Sequence, residues 1–463
     1  MKCLFCLILA LGLAGCANRQ NAPTPLTQVE FPPEITAFIA QKEKHARTIA
    51  TQVKVTVHDD FWEFFRQARR GDWLAADRTY ESLRQRVGWS EGATNHPAFD
   101  QRVWQTVAEV SMALGSYVPT NNAPAWSTSF GQGIVNSIPR GSIYFGGTDP
   151  GRGLPTAFSK SHAGGDPFYT LTQNAFANGT YVDYIRKTYG RRIRLPSNED
   201  LEHCQQEYFV DAQARLQHDK DFPDEPPQIK PGEDVAVVDE KVQISGQVSV
   251  MAINALLTRL IFDKNPEREF YVEESFPLDW MYPHLTPHGL IMKINREPLD
   301  SIPPESVAKD REFWTKQQAA MIGNWLTPDT SVKEVCEFVM KVYLTKDLSG
   351  FDGDPAFVRS DFTCKTYSKL RSSIAGLYSW RSEHSNSNVE RQRMMEEADF
   401  AYRQAFALSP VSPEAIYRYA SLLVQNRRFH DSLLIAYTAA RLKPQDSQLE
   451  NFIAEIERIR DSQ

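Results

Sequence analysis

The stretch "GSIYFGGTDPGRGLPTAF", residues 141–158, decides how this chain is read. An apolar run ends in clustered glycines, and a proline then opens a helical pattern, the order of a strand, a tight turn and a helix. Such a turn either cradles a phosphate or only reverses the chain. A dinucleotide fingerprint needs a third glycine where Thr156 stands. A P-loop needs G-x-x-x-x-G-K-[ST], and here Gly146 and Gly151-Arg152-Gly153 keep only the glycine spacing. Arg152 could hold a phosphate bidentately. Gly153, however, brings no hydroxyl for magnesium, Asp149 places a negative charge inside the cradle, and Pro150 removes a backbone donor. Nucleotide hydrolysis is therefore disfavoured. Two readings stay open: a turn closed by an exposed Asp149–Arg152 pair, or an anion or sugar site at the helix start involving Gly147, Asp149 and Arg152.

Outward from this unit, short apolar or β-branched runs alternate with helical patterns. "FYTLT" at 168–172, "EFYVEE" at 269–274 and "GLIMKI" at 289–294 read as further strands, and "DVAVVDEKVQIS" at 234–245 as a hairpin. A helix runs from an Asn178-Gly179-Thr180 cap to Gly190, and Ser197 caps another through about His218. A third, at 248–262, carries an apolar stripe of Val250, Ile253, Leu257 and Leu260. Strand–helix alternation predicts a Rossmann-like, mostly parallel sheet with helices on both faces. Sites in such sheets lie beyond the carboxyl ends of the strands, which here carry Gly146–Gly153, Gln173–Thr180 and Glu273–Ser275. Asn174, Glu273 and Glu274 thus join Gly147, Asp149 and Arg152 as candidate ligand-binding residues.

The carboxyl-terminal segment 412–444, "SPEAIYRYASLLVQNRRFHDSLLIAYTAARLKP", resembles the tetratricopeptide repeat in register. Ala420, Ala436 and Ala439 take its small positions, Phe429 the turn aromatic and Pro444 the closing proline. Thirty-four residues earlier, Pro410 is preceded by Ala398, Tyr402 and Ala405 at matching offsets. The first helix of that earlier repeat falls at 366–382, split off by the insertion "EHSNSNVERQ". A weaker hairpin near the amino terminus fits through Gly71, Trp73, Ala76 and Tyr80. A few isolated repeats more often cap a neighbouring domain than form a peptide-binding groove.

With 463 residues, 41% apolar and 24% charged, the chain is a folded protein of several domains. Its net charge of −7, without a basic block, speaks against a nucleic-acid partner. No G-x-S-x-G or H-E-x-x-H is present, and Pro283 and Pro287 prevent a helix that would align His284 and His288 on a metal. No catalytic residue, metal or cofactor is expected. Cys204, Cys336 and Cys364 are too scattered for a disulfide framework and read as buried thiols, with one bridge allowed.

"MKCLFCLILALGLAGCANRQ" carries Lys2, an apolar segment of secretory-signal length, and Leu13-Ala14-Gly15-Cys16. That quartet resembles the lipobox of bacterial lipoproteins. The resemblance implies that Cys16 receives a diacylglycerol, becomes the first mature residue and is then acylated on its amino group. Without Asp behind Cys16, it implies sorting to the outer membrane. Acyl chains anchor without a spanning helix, and the polar, proline-rich residues 17–34 suit a tether.

Three stretches, "IPRGSIYFGGTDPGRGLPTAF", "DPFYTLTQNAFANGTYVDYIRKTYG" and "REFYVEESFPLDWMYPHLTPHGLIMKINREP", look like the soluble region behind the membrane domain of bacterial GT-C-type, protein O-mannosyltransferase-like proteins. The likeness covers roughly 137–297 plus the repeats. It implies an extracytoplasmic α/β module followed by tetratricopeptide repeats. That family's lipid-phosphate sugar chemistry resides in a multi-span part with no counterpart here, so no catalytic residue carries over.

The expected organisation is a signal peptide (1–15), a lipidated cysteine and tether (16–34), an amino-terminal helical region with one repeat-like hairpin (35–130), an α/β module (131–297), a helical connector (298–364) and a repeat region (365–463). The class is α/β plus all-α. The expected function is that of a lipid-anchored cell-envelope scaffold binding a protein partner. The alternative is a glycan-binding protein or accessory glycosylation enzyme, in which carboxylates flanking a sugar serve as acid and base.

Overall fold

The computed structural model describes residues 28–87, 97–120, 123–146, 150–159, 167–238, 241–274 and 277–462. Helix α1 (Pro33–Gln52) opens on a proline, whose missing N–H would be unsatisfied at that position anyway. Its inward face carries Ile35, Phe38, Ile39, Ala46 and Ile49, and also Lys42. Helices α2 (Asp59–Arg69) and α3 (Trp73–Val87) form the expected amino-terminal hairpin. Gly71 turns it at φ +74°, and a Cβ there would come 2.1 Å from the Val29 carbonyl oxygen, so only glycine fits. Tyr80 stacks on Trp104 of α4 (Gln101–Tyr117), a helix capped by the Asp100 carboxylate. Helix α5 (Pro124–Ser137) leads into the sheet.

Strand β1 (Ile143–Gly146) is buried along its whole length and is followed by α6 (Pro150–Phe158) and β2 (Tyr169–Thr172). Helix α7 (Gly179–Tyr189) begins where Asn178 accepts from the Thr180 and Tyr181 N–H groups and ends at Gly190. Helix α8 (Asn198–Asp221) starts at a reciprocal Ser197–Asp200 capping box. Strands β3 (Asp234–Val238) and β4 (Lys241–Ser245) pair as a separate antiparallel hairpin. Helix α9 (Gln247–Lys264) leads to β5 (Phe270–Glu273), and β6 (Leu285–His288) and β7 (Ile291–Ile294) close the sheet.

The five-stranded sheet has the order β2-β1-β5-β7-β6. It is mixed rather than mostly parallel: β1 pairs in parallel with β2 and β5, whereas β7 runs antiparallel to β5 and β6. The two residues between β6 and β7 cannot make the crossover that parallel neighbours need. Strand β6 did not stand out in the sequence because Pro287 lies inside it, and an edge strand tolerates the missing donor. Paired residues share a face. Phe145, Phe270 and Val272 look one way, toward Phe262 of α9, while Tyr144, Gly146 and Glu273 look toward α6.

Helix α9 buries the expected stripe only in part: Leu257 is fully buried, and Ile253 and Leu260 are half-buried. Asn254, Leu257, Thr258, Ile261 and Phe262 face inward, and Val250 is 44% exposed. The helix is apolar nearly all round, so only its neighbours choose the face.

The connector contains α10 (Pro304–Ile322), α11 (Val332–Val339), a π-turn at Met340–Leu344 and the single-turn α12 (Pro355–Val358). Then come α13 (Asp361–His384), α14 (Asn388–Leu408), α15 (Pro413–Gln425), α16 (Phe429–Leu442) and α17 (Ser447–Asp461). The insertion at 383–392 breaks the helices only at 385–387, and its flanks lengthen α13 and α14. The small residues Ala398, Ala405, Ala420, Ala436 and Ala439 are all fully buried. The Ser432 hydroxyl, on α16, donates to the Ala420 carbonyl of α15 at 2.8 Å.

A buried polar network fixes α13 to its neighbours. Arg371 donates to Asp310 of α10 and to Gln404 of α14, both at 2.8 Å, and Gln404 donates to Gln318 at 2.9 Å. Tyr378 adds a second donor to Asp310 at 2.8 Å. No helix among the described residues is long and apolar enough to cross a membrane. Replacing Ala439 by Trp should overpack the α15–α16 contact and lower stability by about 1–3 kcal/mol. Urea unfolding measures this, and an unchanged midpoint would place Ala439 outside the helix contact.

Candidate functional site

The start of α6 is occupied by the protein's own carboxylate. Glu273, the last residue of β5, lies against Gly151 so closely that a Cβ on Gly151 would come 1.8 Å from Glu273 Oε2. Lys369 of α13 reaches Glu273 Oε1 at 3.3 Å. The first turn of a helix attracts anions through its aligned peptide dipoles, and Glu273, 1% exposed, stands where a phosphate would lie. The Tyr144 hydroxyl donates to the Gly151 carbonyl, and burial, followed by the Glu273 charge, pushes its pKa well above the ordinary tyrosine value.

Arg152 turns away from this rim, and the expectation of an exposed Asp149–Arg152 pair needs correction. Gly147 and Asp149 lie outside the described residues. Arg152 itself is fully buried, donating to Glu109 Oε1 at 2.7 Å, to Thr172 Oγ1 at 2.8 Å and to Thr156 Oγ1. Lys42 pairs with the other oxygen of Glu109, which also accepts from the Tyr184 hydroxyl at 2.9 Å. Burial works to raise the Glu109 carboxyl, but Lys42 and then Arg152 outweigh it and hold it below the usual carboxylate range. Next to this cluster His45 packs on Tyr184, and burial together with the Lys42 charge lowers its pKa to about 4. The physical reason for the correction is distance through the core. From the first turn of α6, Arg152 reaches α4, a helix some forty residues earlier whose single carboxylate, Glu109, points inward.

The remaining candidates converge in part. Asn174 and Gln173, in the turn Gln173–Ala175, point their amide nitrogens at Glu274 Oε2, at 3.5 and 3.4 Å. The Ser373 hydroxyl of α13 donates to the Glu274 carbonyl. Asn174, Glu273 and Glu274 therefore share one rim at the carboxyl ends of β2 and β5. Gln173 and Lys369 belong to it as well. Gln173 opens one of the stretches that the strand-end rule marks, whereas nothing in the sequence around Lys369 announces its role.

The histidines have structural partners. His284 Nδ1 faces the Asn295 carbonyl at 2.9 Å and His288 Nε2 the Ser137 carbonyl at 2.8 Å. Among the described residues, no group of His, Cys, Asp and Glu side chains is arranged to hold a metal. Cys204, Cys336 and Cys364 are free and buried. Asp354 caps α12 and accepts from the Trp126 indole at 2.6 Å. Comparison with protein-family models, curated proteins and solved structures finds no match.

Two outcomes follow from this geometry. Arg152→Ala leaves a buried carboxylate short of one partner and should cost about 3–5 kcal/mol in a denaturant titration. A loss below about 1 kcal/mol is what a surface pair would give. ATP with magnesium should leave the melting temperature unchanged, because Glu273 already fills the start of α6. A nucleotide at a hundred times its dissociation constant would instead add about 2.7 kcal/mol.

Proposed function

We propose that this chain is a lipoprotein of a bacterial cell envelope, anchored through Cys16 at the outer membrane and facing the periplasm. Its folded part serves as a protein-interaction module rather than as an enzyme. The observation that carries the reading is the quartet Leu13-Ala14-Gly15-Cys16 behind Lys2 and an apolar segment, with a polar, proline-rich stretch before the first described helix at Pro33. Cys16 itself lies outside the described residues.

The engagement of the candidate side chains supports a binding role. Arg152 is spent on Glu109, and Glu273 is held by Lys369. In the carboxyl-terminal half, the alanines at the small positions of the repeat pattern are buried in paired helices, which supports reading α13–α16 as tetratricopeptide-like hairpins with α17 as a cap. The parallel β2-β1-β5 half of the sheet, with α6 crossing from β1 to β2, supports a Rossmann-like description of that part alone. An extracytoplasmic module of this make-up also agrees with the resemblance to the soluble region of O-mannosyltransferase-like proteins.

Cys16→Ser should abolish incorporation of labelled palmitate and release a folded protein from the membrane fraction. Retention of that variant in the membrane fraction would overturn the lipoprotein reading.

A further inference from the structure

The rim at the carboxyl ends of β1, β2 and β5 lies at the topological switch of the sheet, since the chain leaves β1 to one side for β2 and returns on the other for β5. Open sheets bind ligands at such switches. Here α13 closes over the rim from the repeat side, through Lys369 on Glu273 and Ser373 on Glu274.

The charged groups of the rim are partnered, but its amides are satisfied on one side only. Gln173 is fully buried and its Oε1 has no hydrogen-bond partner, and Asn174 Oδ1 is likewise buried and unpartnered. On α9, Asn254 accepts from the Ala177 N–H at 2.7 Å, at the end of the same turn, while its buried Nδ2 has no partner. An unsatisfied buried polar group costs about 1–3 kcal/mol. Three within one turn and the helix beside it, two acceptors and one donor, are a concentration that native interiors avoid unless something else satisfies them.

The chemistry of that missing partner can be read from the surroundings. Glu273 faces Lys369, and around Tyr282 the carboxylates of Glu274, Asp279 and Glu383 outnumber the guanidinium of Arg418 from α15, so an anion is disfavoured, and the orphaned amide atoms, rather than charge, define the ligand. Hydroxyl groups, which both donate and accept, match two carbonyl oxygens and one amide N–H. On the Glu274 side, whose charge acts on the Tyr282 hydroxyl, Tyr282 stacks on Trp380 at 5.4 Å and 25°, and both rings are half-buried.

We infer that this rim binds a neutral carbohydrate, its hydroxyls bonded to Gln173 Oε1, Asn174 Oδ1 and Asn254 Nδ2 and its apolar ring face turned to Tyr282 and Trp380. The site is composite, with the turn after β2 and helix α9 supplying the amides and α13 supplying Trp380 and the Lys369 that holds Glu273 in place. This binding does not depend on the anchor at Cys16.

The test is ligand-observed NMR and calorimetry on the detergent-solubilised full chain, with a panel of neutral hexoses, N-acetylhexosamines and their disaccharides, and spermidine as a cationic control. At least one saccharide should bind. Asn174→Ala and Gln173→Leu should each weaken it by about tenfold, the loss of one such hydrogen bond. Gln173→Leu should keep or raise the melting temperature, because it removes an orphaned oxygen without changing the packing volume much. Absence of saccharide binding to the unaltered chain, undiminished binding by Asn174→Ala, or preference for spermidine would each overturn the inference. Membrane association of the chain is read separately, so these outcomes leave the anchoring question untouched.

Discussion

The Arg152–Glu109–Lys42 cluster is the constraint from which the rest of the site follows. Three charges removed from water are tolerable only when they are paired and hydrogen-bonded together. Meeting that condition draws α1, α4 and α6 to one point, with Tyr184 of α7 as a further donor. The amino-terminal helices thus cover the face of the sheet that carries Tyr144 and Gly146. Once Arg152 is committed inward, Gly151 faces the end of β5, and the space beside it admits the Glu273 carboxylate. A stretch that looks like a phosphate loop becomes a structural joint because its arginine and its anion both come from the protein itself.

A second joint, amide-rich and equally buried, governs the carboxyl-terminal half. Arg371 on α13 reaches Asp310 and Gln404, and Gln404 continues to Gln318, whose amide donates to the Gly323 and Leu326 carbonyls. Farther along the same helix, Arg381 donates to the Pro283 carbonyl at 2.7 Å, just ahead of β6. One helix therefore takes its position from the connector on one side and from the sheet on the other. The rim at the strand ends is lined by both halves for that reason. Burying ions in this way is weak as a source of stability, but it fixes which helix turn meets which strand end.

Signals that act over a few residues were legible. Asn178 and Gly190 bound α7, and Ser197 opens α8, because caps satisfy backbone groups locally whatever the tertiary surroundings. Alanines at hairpin contacts were legible too, since two helices approach closely only past small side chains. Part of the ionic cluster left a trace as well: Lys42 falls on the apolar stripe of α1 and Glu109 inside an apolar run of α4, positions that long charged side chains avoid unless paired. Spacing alone could not say that the two meet, because 67 residues separate them.

By itself the sequence determined where several helices begin or end, that a strand and a helix stand within 141–158, and that its glycines come without the lysine and hydroxyl of a P-loop. Tertiary structure decided the directions. It turned Arg152 to Glu109, set Glu273 at the start of α6, chose Asn254 and Ile261 over Val250 as the buried side of α9, and made an edge strand of the proline-containing 285–288 segment. The first group depends on hydrogen bonds and sterics within a turn or two of chain. The second depends on which distant charge or apolar face arrives opposite, and a pairing between residues far apart is settled only when the whole core packs.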